Sequence, residues 1–376
     1  MKKFFKSIFI KKSGEHEADK FLIIIIILLV YVGLLMLSSA SSVVGYKIFD
    51  NSYYYFNHQV LSVVLGAVFF YIFSKVNYFF WKKYAIGFLL FSCLFLLLVF
   101  IPGLGVHYGK AHSWINIFGF SLQPSEFVKV SFLIYLAAWL ERRHGNLDSI
   151  SQGLGPFLII LGLISFLMIM QPDIGTLSII AISSVIVYFI GGGKIIHLIS
   201  LGLLAVLVLV FILSAKPYVK DRFNCLTDPG SNIQRQCYQI NQSLIAVGSG
   251  GFLGRGIGQS RQKYMYLPEV SGDSIFSIIA EEVGFIFSSL LIVLYFLFFL
   301  KGVLIAKHAP DLFGQILAVG IVSWIAIQVF LNIGGMIGLI PMTGVPLPLI
   351  SYGGSAMIAS LLALGILVNI SKYTEK

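Results

Sequence analysis

The chain reads as an all-α integral membrane protein of about ten transmembrane helices, with a large outer loop between spans seven and eight. Three observations predict this. Hydrophobic residues make up 58% of the sequence and charged residues only 11%, and the mean hydropathy is +0.92, far outside soluble globular usage. The apolar residues fall in separate runs of membrane-crossing length. The basic residues, which give a formal net charge of +10, sit in short clusters between those runs. That is the pattern of membrane topology, and it forms no single patch for nucleic acid.

Residues 1–19 form a basic cytoplasmic tail with Lys2, Lys3, Lys6, Lys11 and Lys12, and with Phe4, Phe5 and Phe9 suited to anionic lipid. The apolar run that follows reaches about Leu37. It is too long for a signal-peptide core and lacks a clear small-residue cleavage site, so it reads as the first span. Spans are expected at 20–41, 57–74, 83–102, 125–140, 153–170, 174–191, 195–214, 274–300, 314–339 and 354–371. The runs 125–140 and 174–191 are short enough to be tilted or broken. One polytopic domain thus covers 20–371, followed by a short tail, 372–376. An even count puts both termini on one side. That side also receives Lys75, Lys82, Lys83, Arg142, Arg143, Lys194, Lys301, Lys307, Lys372 and Lys376, against Lys47 and Lys110 in the short loops opposite. Both termini are therefore expected to be cytoplasmic, with the long loop 215–273 outside.

In that orientation, carboxylates collect at outward helix starts. Gln123-Pro-Ser-Glu126 opens the fourth span, with Pro124 suited to a first turn and Lys129 three residues beyond Glu126. Gln171-Pro-Asp173 opens the sixth span and Asp273 the eighth. One reading makes these three helix-capping acids, favoured by the helix dipole. The other makes them a functional polar site, because ionisable groups within spans normally face a bundle interior or a water-filled cavity. Glu281 and Glu282 carry the acidic line inward, roughly 12 Å along the helix from Asp273 at its usual rise.

Three further stretches stand out. The glycine-rich Gly248–Gly258, with Arg255, Arg261 and Lys263 close by, is suited to cradle phosphate through backbone N–H groups or to serve as a hinge. It neither follows a strand nor opens a helix, so it is not a P-loop. Before it, Tyr238–Val247 is expected to form a short helix on the outer membrane surface. Cys225 and Cys237 share this loop on the oxidising side, where a disulfide is possible, whereas Cys93 lies in a span as packing. Ile340–Ser355 holds three prolines and three glycines, which exclude a regular helix. Irregular backbone at membrane depth needs protein or a water-filled cavity around it, so the segment is expected to fold back over the outer mouth.

These blocks carry a resemblance. Gln-Pro-Ser-Glu at 123–126, Gln-Pro-Asp-Ile-Gly at 171–175, Gln-Ser-Leu-Ile-Ala-Val-Gly-Ser-Gly-Gly at 242–251, Tyr-Leu-Pro-Glu at 266–269 and Pro-Leu-Pro-Leu-Ile-Ser-Tyr-Gly-Gly-Ser at 346–355 resemble the FtsW/RodA/SpoVE (SEDS) family. The match runs in order and spacing from about residue 20 to 371. Gly-Gln-Ser-Arg-Gln-Lys-Tyr at 258–264 is more similar to the FtsW and SpoVE division branch than to RodA. The resemblance implies a peptidoglycan glycosyltransferase that polymerises lipid II into glycan strands on the outer face of the bacterial cytoplasmic membrane, at the division septum. It makes Asp273 the catalytic residue; from the reading of the residues, Glu126, Lys129, Asp173, Arg255, Arg261, Lys263, Glu281, Glu282, His58 and Ser351 are expected as a supporting or substrate-binding set. Two departures are visible. Ser271-Gly272 stands where the family usually has His-Thr, and His58 of Phe56-Asn-His-Gln59 stands where it commonly has Arg.

Sugar transfer needs a base on the acceptor hydroxyl and positive charge on the departing diphosphate. Arg255, Arg261 and Lys263 are candidates for that charge. A divalent cation, Mg2+ or Mn2+, held by Asp273 and Asp173 is the other route. No organic cofactor is expected. The implied partners are lipid II and the nascent glycan strand, a class B penicillin-binding protein transpeptidase, other divisome proteins and membrane lipid. Two other classes share the scaffold. A precursor flippase would need alternating access, against which the outward bias of the polar residues and the lack of an internal repeat both argue. A non-catalytic division scaffold would need the spans but not the acids.

Overall fold

The computed structural model describes residues 16–374 apart from 102, 109–110, 118–119, 216 and 229–236. The basic aromatic stretch of the N-terminal tail, with its expected lipid contact, lies outside these residues. The apolar runs fold into helices, whose backbone groups pair within their own segment, as a lipid environment favours. The helices are α1 (Lys20–Ala40), α2 (Ser42–Phe49), α3 (Tyr54–Lys75), α4 (Phe79–Lys83), α5 (Ala85–Leu97), α6 (Pro124–Arg143), α7 (Gly155–Met170), α8 (Ile174–Ile190), α9 (Ile195–Ala215), α10 (Pro217–Thr227), α11 (Tyr238–Ser249), α12 (Ile275–Lys307), α13 (Leu312–Met336) and α14 (Gly354–Ser371). Six of them, α1, α3, α7 with the turn before it, α12, α13 and α14, are long and apolar enough to cross a membrane, and α5, α8 and α9 are shorter apolar helices. The charged α6 completes the set of ten expected spans. The protein is a multi-pass membrane protein.

Helices α13 and α14 form the centre of the bundle, where Trp324, Phe313 and Ile366 are buried together with Phe132 of α6. Small residues let helices close in: a Cβ at Gly365 would meet the Phe70 carbonyl at 2.6 Å, so α14 and α3 touch backbone to backbone there. The outward faces of α1, α3, α9 and α12 expose leucine, isoleucine and phenylalanine, the surface that a bilayer covers. The two described ends meet. The His16 N–H donates to the Lys372 carbonyl at 2.9 Å, and the Asp19 N–H donates to Ser371 Oγ at 3.2 Å. This contact agrees with an even number of crossings, which leaves both ends on one side. At the start of the short tail, the Lys372 ammonium donates to the Ser74 carbonyl at 2.6 Å, capping the end of α3.

Three features differ from the sequence reading. The loop between α5 and α6 folds into a small antiparallel sheet, β1 (Gly105–Tyr108), β2 (Ala111–Ile117) and β3 (Phe120–Leu122), with Ile115 opposite Gly105 on one side and Leu122 on the other. Ser113 and Ile115 are both buried, the period-two alternation of a half-buried strand. Second, α11 forms as expected and also docks on the bundle, a contact the sequence did not indicate. Ser243 Oγ lies 3.5 Å from Met336 Sδ of α13, and a Cβ at Gly250 would meet the Ala280 carbonyl of α12 at 2.0 Å.

The third difference concerns the eighth span, which is not one regular helix. Gly284 breaks it at φ 75° and ψ −176°, and the glycine-rich stretch fills the break. The Phe285 and Ile286 N–H groups donate to the carbonyls of Gly251 (2.9 Å) and Phe252 (3.2 Å). The freed carbonyls of Glu281 and Glu282 accept from the N–H groups of Arg255 (3.0 Å) and Gly256 (2.9 Å). A Cβ at Gly284 would sit 2.2 Å from the Gly254 nitrogen, so glycine is needed both for its positive φ and for the close approach.

Candidate active site

Asp273 lies in the turn just before α12. The turn is built by the Glu269 carbonyl, which accepts from the N–H groups of Gly272 and Ser274 at 3.0 and 3.1 Å. It is tied to the rest of the mouth by the Ser271 carbonyl, which accepts from the Tyr352 N–H at 2.8 Å. Asn332 of α13 donates to the Asp273 carbonyl at 2.7 Å and to the Val345 carbonyl at 2.8 Å. The helix-capping reading fails at this residue. Ser274 occupies the position before the helix and makes no side-chain cap, while Asp273 Oδ1 accepts from Gln239 Nε2 of α11 at 3.1 Å and from Ser274 Oγ at 3.4 Å. Among the described residues, Oδ2 takes no hydrogen bond. It faces Gly344, where an added Cβ would lie 3.7 Å from Oδ2 and 3.8 Å from Arg222 Nη2.

The half-buried Asp273 carboxyl has its pKa raised to about 6. Burial is the main cause, with the negative charge of Glu269 next. The Gln239 hydrogen bond, the Arg222 charge and Ser274 pull the other way. Arg222 of α10 is anchored by donating from Nη1 to the Met342 carbonyl at 2.9 Å. With Cys225, Gln239, Ile340 and Met342, it lines a small open cleft of about 40 Å³. Cys225 and Cys237 are disulfide-bonded, with Cα atoms 5.2 Å apart.

The other two outward acids take different roles. Asp173 is a true cap: Oδ1 accepts from the Thr176 N–H at 3.1 Å. Its Oδ2 accepts from Gln123 Nε2 and Ser125 Oγ at 3.1 and 3.0 Å, joining α8 to α6. Glu126 and Lys129 form the buried i,i+3 pair that their spacing predicts, at 3.0 and 2.9 Å to the two carboxylate oxygens. Lys129 also donates to Gln328 Oε1 at 2.9 Å and lies 4.6 Å from the Trp324 ring centre. Gln328 in turn donates to the Pro346 carbonyl at 2.9 Å. Trp324, Gln328 and Asn332 stand at i, i+4, i+8 on one face of α13, a polar stripe running from the buried pair to the Asp273 turn. The segment 340–355 folds into the bundle along this stripe.

Glu281 and Glu282 are engaged by the residues that follow the glycine-rich stretch, 260–263, and by α1. Glu281 accepts from Ser260 Oγ at 2.5 Å and from the backbone N–H groups of Arg261 and Gln262 at 3.0 and 3.3 Å. Glu282 accepts from Lys263 Nζ at 3.0 Å and from Ser39 Oγ of α1 at 2.7 Å. The glycine-stretch N–H groups that suggested a phosphate cradle close instead on backbone carbonyls, Arg255 and Gly256 on Glu281 and Glu282, and the two carboxylates are held by residues 260–263 just beyond. Lys263 is buried in this network. Arg255 donates to the Ser249 carbonyl at 3.2 Å and lies 3.8 Å from Glu281, and Arg261 is exposed. His58 bonds locally to the Tyr54 carbonyl at 2.9 Å. Its neighbour Gln59 reaches the mouth instead, donating to the Ser351 carbonyl at 3.1 Å and accepting from the Gly353 N–H at 3.1 Å. Ser351 Oγ accepts from the Leu347 N–H at 2.7 Å and so builds the turn.

The sequence reading missed Arg222, Gln239, Glu269, Gln328 and Asn332. The two α13 amides leave a signal, polar residues four apart in an apolar span. Arg222 and Gln239 leave none, since each is one polar residue in a polar loop. A cation shared by Asp273 and Asp173 does not fit this site. Both oxygens of Asp173 already serve the α6–α8 junction, and no three His, Cys, Asp or Glu side chains among the described residues come together as metal ligands.

Comparison with known proteins gives a consistent result. The model of a cell cycle protein family, FtsW/RodA/SpoVE, matches residues 19–376. Stage V sporulation protein E of Bacillus subtilis is 41% identical over 329 residues, covering 87% of this chain and 89% of that protein. The probable peptidoglycan glycosyltransferase FtsW of the same organism is 39% identical over 341 residues, with 86% and 84% covered. Among solved structures, a chain of a peptidoglycan synthase complex that coordinates polymerization and crosslinking superposes with a TM-score of 0.79 at 25% identity, covering 95% of this chain and 99% of that one. The rod shape determining protein RodA of Thermus thermophilus superposes with a TM-score of 0.70 at 23% identity, with 96% and 98% covered.

Proposed function

The chain belongs to the FtsW/RodA/SpoVE family of cell cycle proteins, and we infer from its site that it is a peptidoglycan glycosyltransferase with Asp273 as the general base. The observation that carries this is the Asp273 carboxyl itself. It sits at the start of a membrane helix without capping it, and one oxygen takes no hydrogen bond among the described residues and lies close to Gly344, on the side of Arg222. In the reaction, the acceptor sugar hydroxyl gives its proton to Asp273 as its oxygen bonds to the anomeric carbon of the donor. The bond from that carbon to the diphosphate oxygen breaks, and the polyprenyl diphosphate leaves with the electron pair. Arg222 lies beside Asp273, so we assign it the developing charge on the diphosphate, which Arg meets well through paired N–H groups. Lys263 is committed to Glu282, Arg255 belongs to the stretch that fills the α12 break, and Arg261 follows it with its backbone N–H on Glu281.

We propose lipid II as the substrate, a class B penicillin-binding protein transpeptidase and other divisome proteins as partners, and the division septum as the location. The likeness to the synthase complex and to FtsW supports these assignments. The lysine and arginine bias supports cytoplasmic termini, with the Asp273 mouth outside. A Mg2+ or Mn2+ ion would travel on the diphosphate, held by phosphate oxygens and water rather than by a protein cage. A chelator should therefore slow polymerisation while leaving the melting temperature of the protein unchanged; a drop in melting temperature would point to a resident ion.

The test is turnover of purified protein with lipid II. Polymer should form with the wild type and nearly vanish with Asp273→Asn, which keeps size but cannot take the proton, a loss of roughly 10²–10⁴ in rate. Near wild-type polymerisation by well-folded Asp273→Asn would remove Asp273 from the role. Transport without polymer would mark a flippase, and binding without either would mark a scaffold.

A further inference from the structure

We propose that the Cys225–Cys237 crosslink is a positioning element of the transferase site: by tying α10 to α11 it holds Arg222 and Gln239 against the Asp273 turn, and turnover depends on its being oxidised. The inference rests on the reading of Asp273 as the base and adds a control on the same site.

The geometry links these parts in series. Helix α11 is fixed to the bundle through Ser243 on Met336 and Gly250 on Ala280. Gln239, in the first turn of α11, donates to both Asp273 Oδ1 (3.1 Å) and Ser274 Oγ (3.0 Å). That turn has no side-chain cap, because the residue at the capping position is Cys237. Uncapped first turns fray, and here the crosslink pins the capping residue in place of a hydrogen bond. On its other side, the bond holds Cys225, three residues after Arg222 and so on the same face of α10. Both cysteines are buried, at 5% and 2% exposure, in a small cluster with Ile240, Leu244 and Met342. Met342 supplies the carbonyl that anchors Arg222. Arg222 therefore reaches the mouth on a short helix that is held there by this cluster, this hydrogen bond and the crosslink. The charged groups facing Asp273 are Glu269 from its own turn and Arg222 from α10. Helix α11, α13 and the 342–345 segment present neutral groups there.

The experiment uses the whole protein in detergent with lipid II. Dithiothreitol delivers two electrons and two protons, converting the cystine to two thiols while closing to its own cyclic disulfide. Cys93 is a thiol already and is unaffected. Reduction should lower kcat roughly ten- to hundredfold, the scale of a small misplacement at a reacting centre. The melting temperature should hold, and hydrogen exchange should speed up at 217–227 and 238–242. The Cys225→Ser, Cys237→Ser pair should show the same loss without reductant and no response to it, while Cys93→Ser stays active and sensitive. Unchanged kcat after verified reduction overturns the proposal. So does loss of activity together with global unfolding, which would make the crosslink a staple of the fold. If oxidised wild type makes no polymer, the transferase reading fails instead. Exchange at 217–227 and 238–242 then decides alone whether the crosslink holds the two helices.

Discussion

At the residue scale, the chemistry depends on how the surroundings of Asp273 set its proton affinity. Its raised pKa, about 6, means that the carboxylate needed to accept a proton is lost as pH falls through that value. kcat/KM should therefore rise with pH through about 6 and level off above it. Glu269→Gln removes the second cause of the shift, so Asp273 should ionise more easily and the acidic limb should move to lower pH. A limb that stays in place in Glu269→Gln, measured from pH 5 to 8, would show that the two carboxyls do not communicate. The same shift fixes the sign for stability. The native state holds this proton more tightly than the unfolded chain, so the contribution is full below the unfolded pKa and lost as pH rises through about 6. Asp273→Asn should accordingly melt no lower than wild type at pH 7, in contrast to loss of a capping residue. The acid was legible from its position at a helix start. Its regulators were not, because Gln239 and Arg222 lie 34 and 51 residues away in sequence and only folding brings them to the same carboxyl.

At the scale of elements, the pairing of α6 with α13 supports the mouth from below. Lys129 bridges Glu126 and Gln328, and Gln328 holds the Pro346 carbonyl. Lys129→Met fills much of the same space but leaves a buried carboxylate without its counter-ion, a change that typically costs about 3–5 kcal/mol. The variant should melt lower or fold in lower yield, with reduced polymerisation, because Gln328, which holds the Pro346 carbonyl, loses its Lys129 donor. Full activity at an unchanged melting temperature would show the pair to be peripheral. The i,i+3 spacing made the Glu126–Lys129 pair readable, since local helix geometry is set by sequence alone. The break in α12 was not readable. A glycine in an apolar span is ordinary, and Gly284 becomes a break only because Gly250–Gly256 is threaded against it.

At the scale of the whole molecule, the expected topology puts the Asp273 mouth on the side where lipid-linked sugars are presented. Tyr266 is 58% exposed on the loop leading to that mouth, whereas Ser271 is buried. Tyr266→Cys in a Cys93→Ser background, with Cys225 and Cys237 joined, should react with an impermeant thiol reagent in intact cells. Labelling only after lysis would invert the topology and with it the assignment of the outer face.

The sequence by itself determined the class, the ten spans and the candidate acids. Hydropathy, charge bias and helix-start residues are local properties that need no partner to be read. It also marked 340–355 as irregular, because proline and glycine restrict the backbone wherever they stand. Only the tertiary structure separated the acids by role. Asp173 caps α8, Glu126 pairs with Lys129, Glu281 and Glu282 hold residues 260–263, and Asp273, outside any cap or ion pair among the described residues, keeps an oxygen that takes no hydrogen bond. The physical reason is that a carboxylate's function is set by what reaches it. In this chain the groups that reach the acids come largely from distant segments, whose meeting depends on helix packing rather than on local spacing.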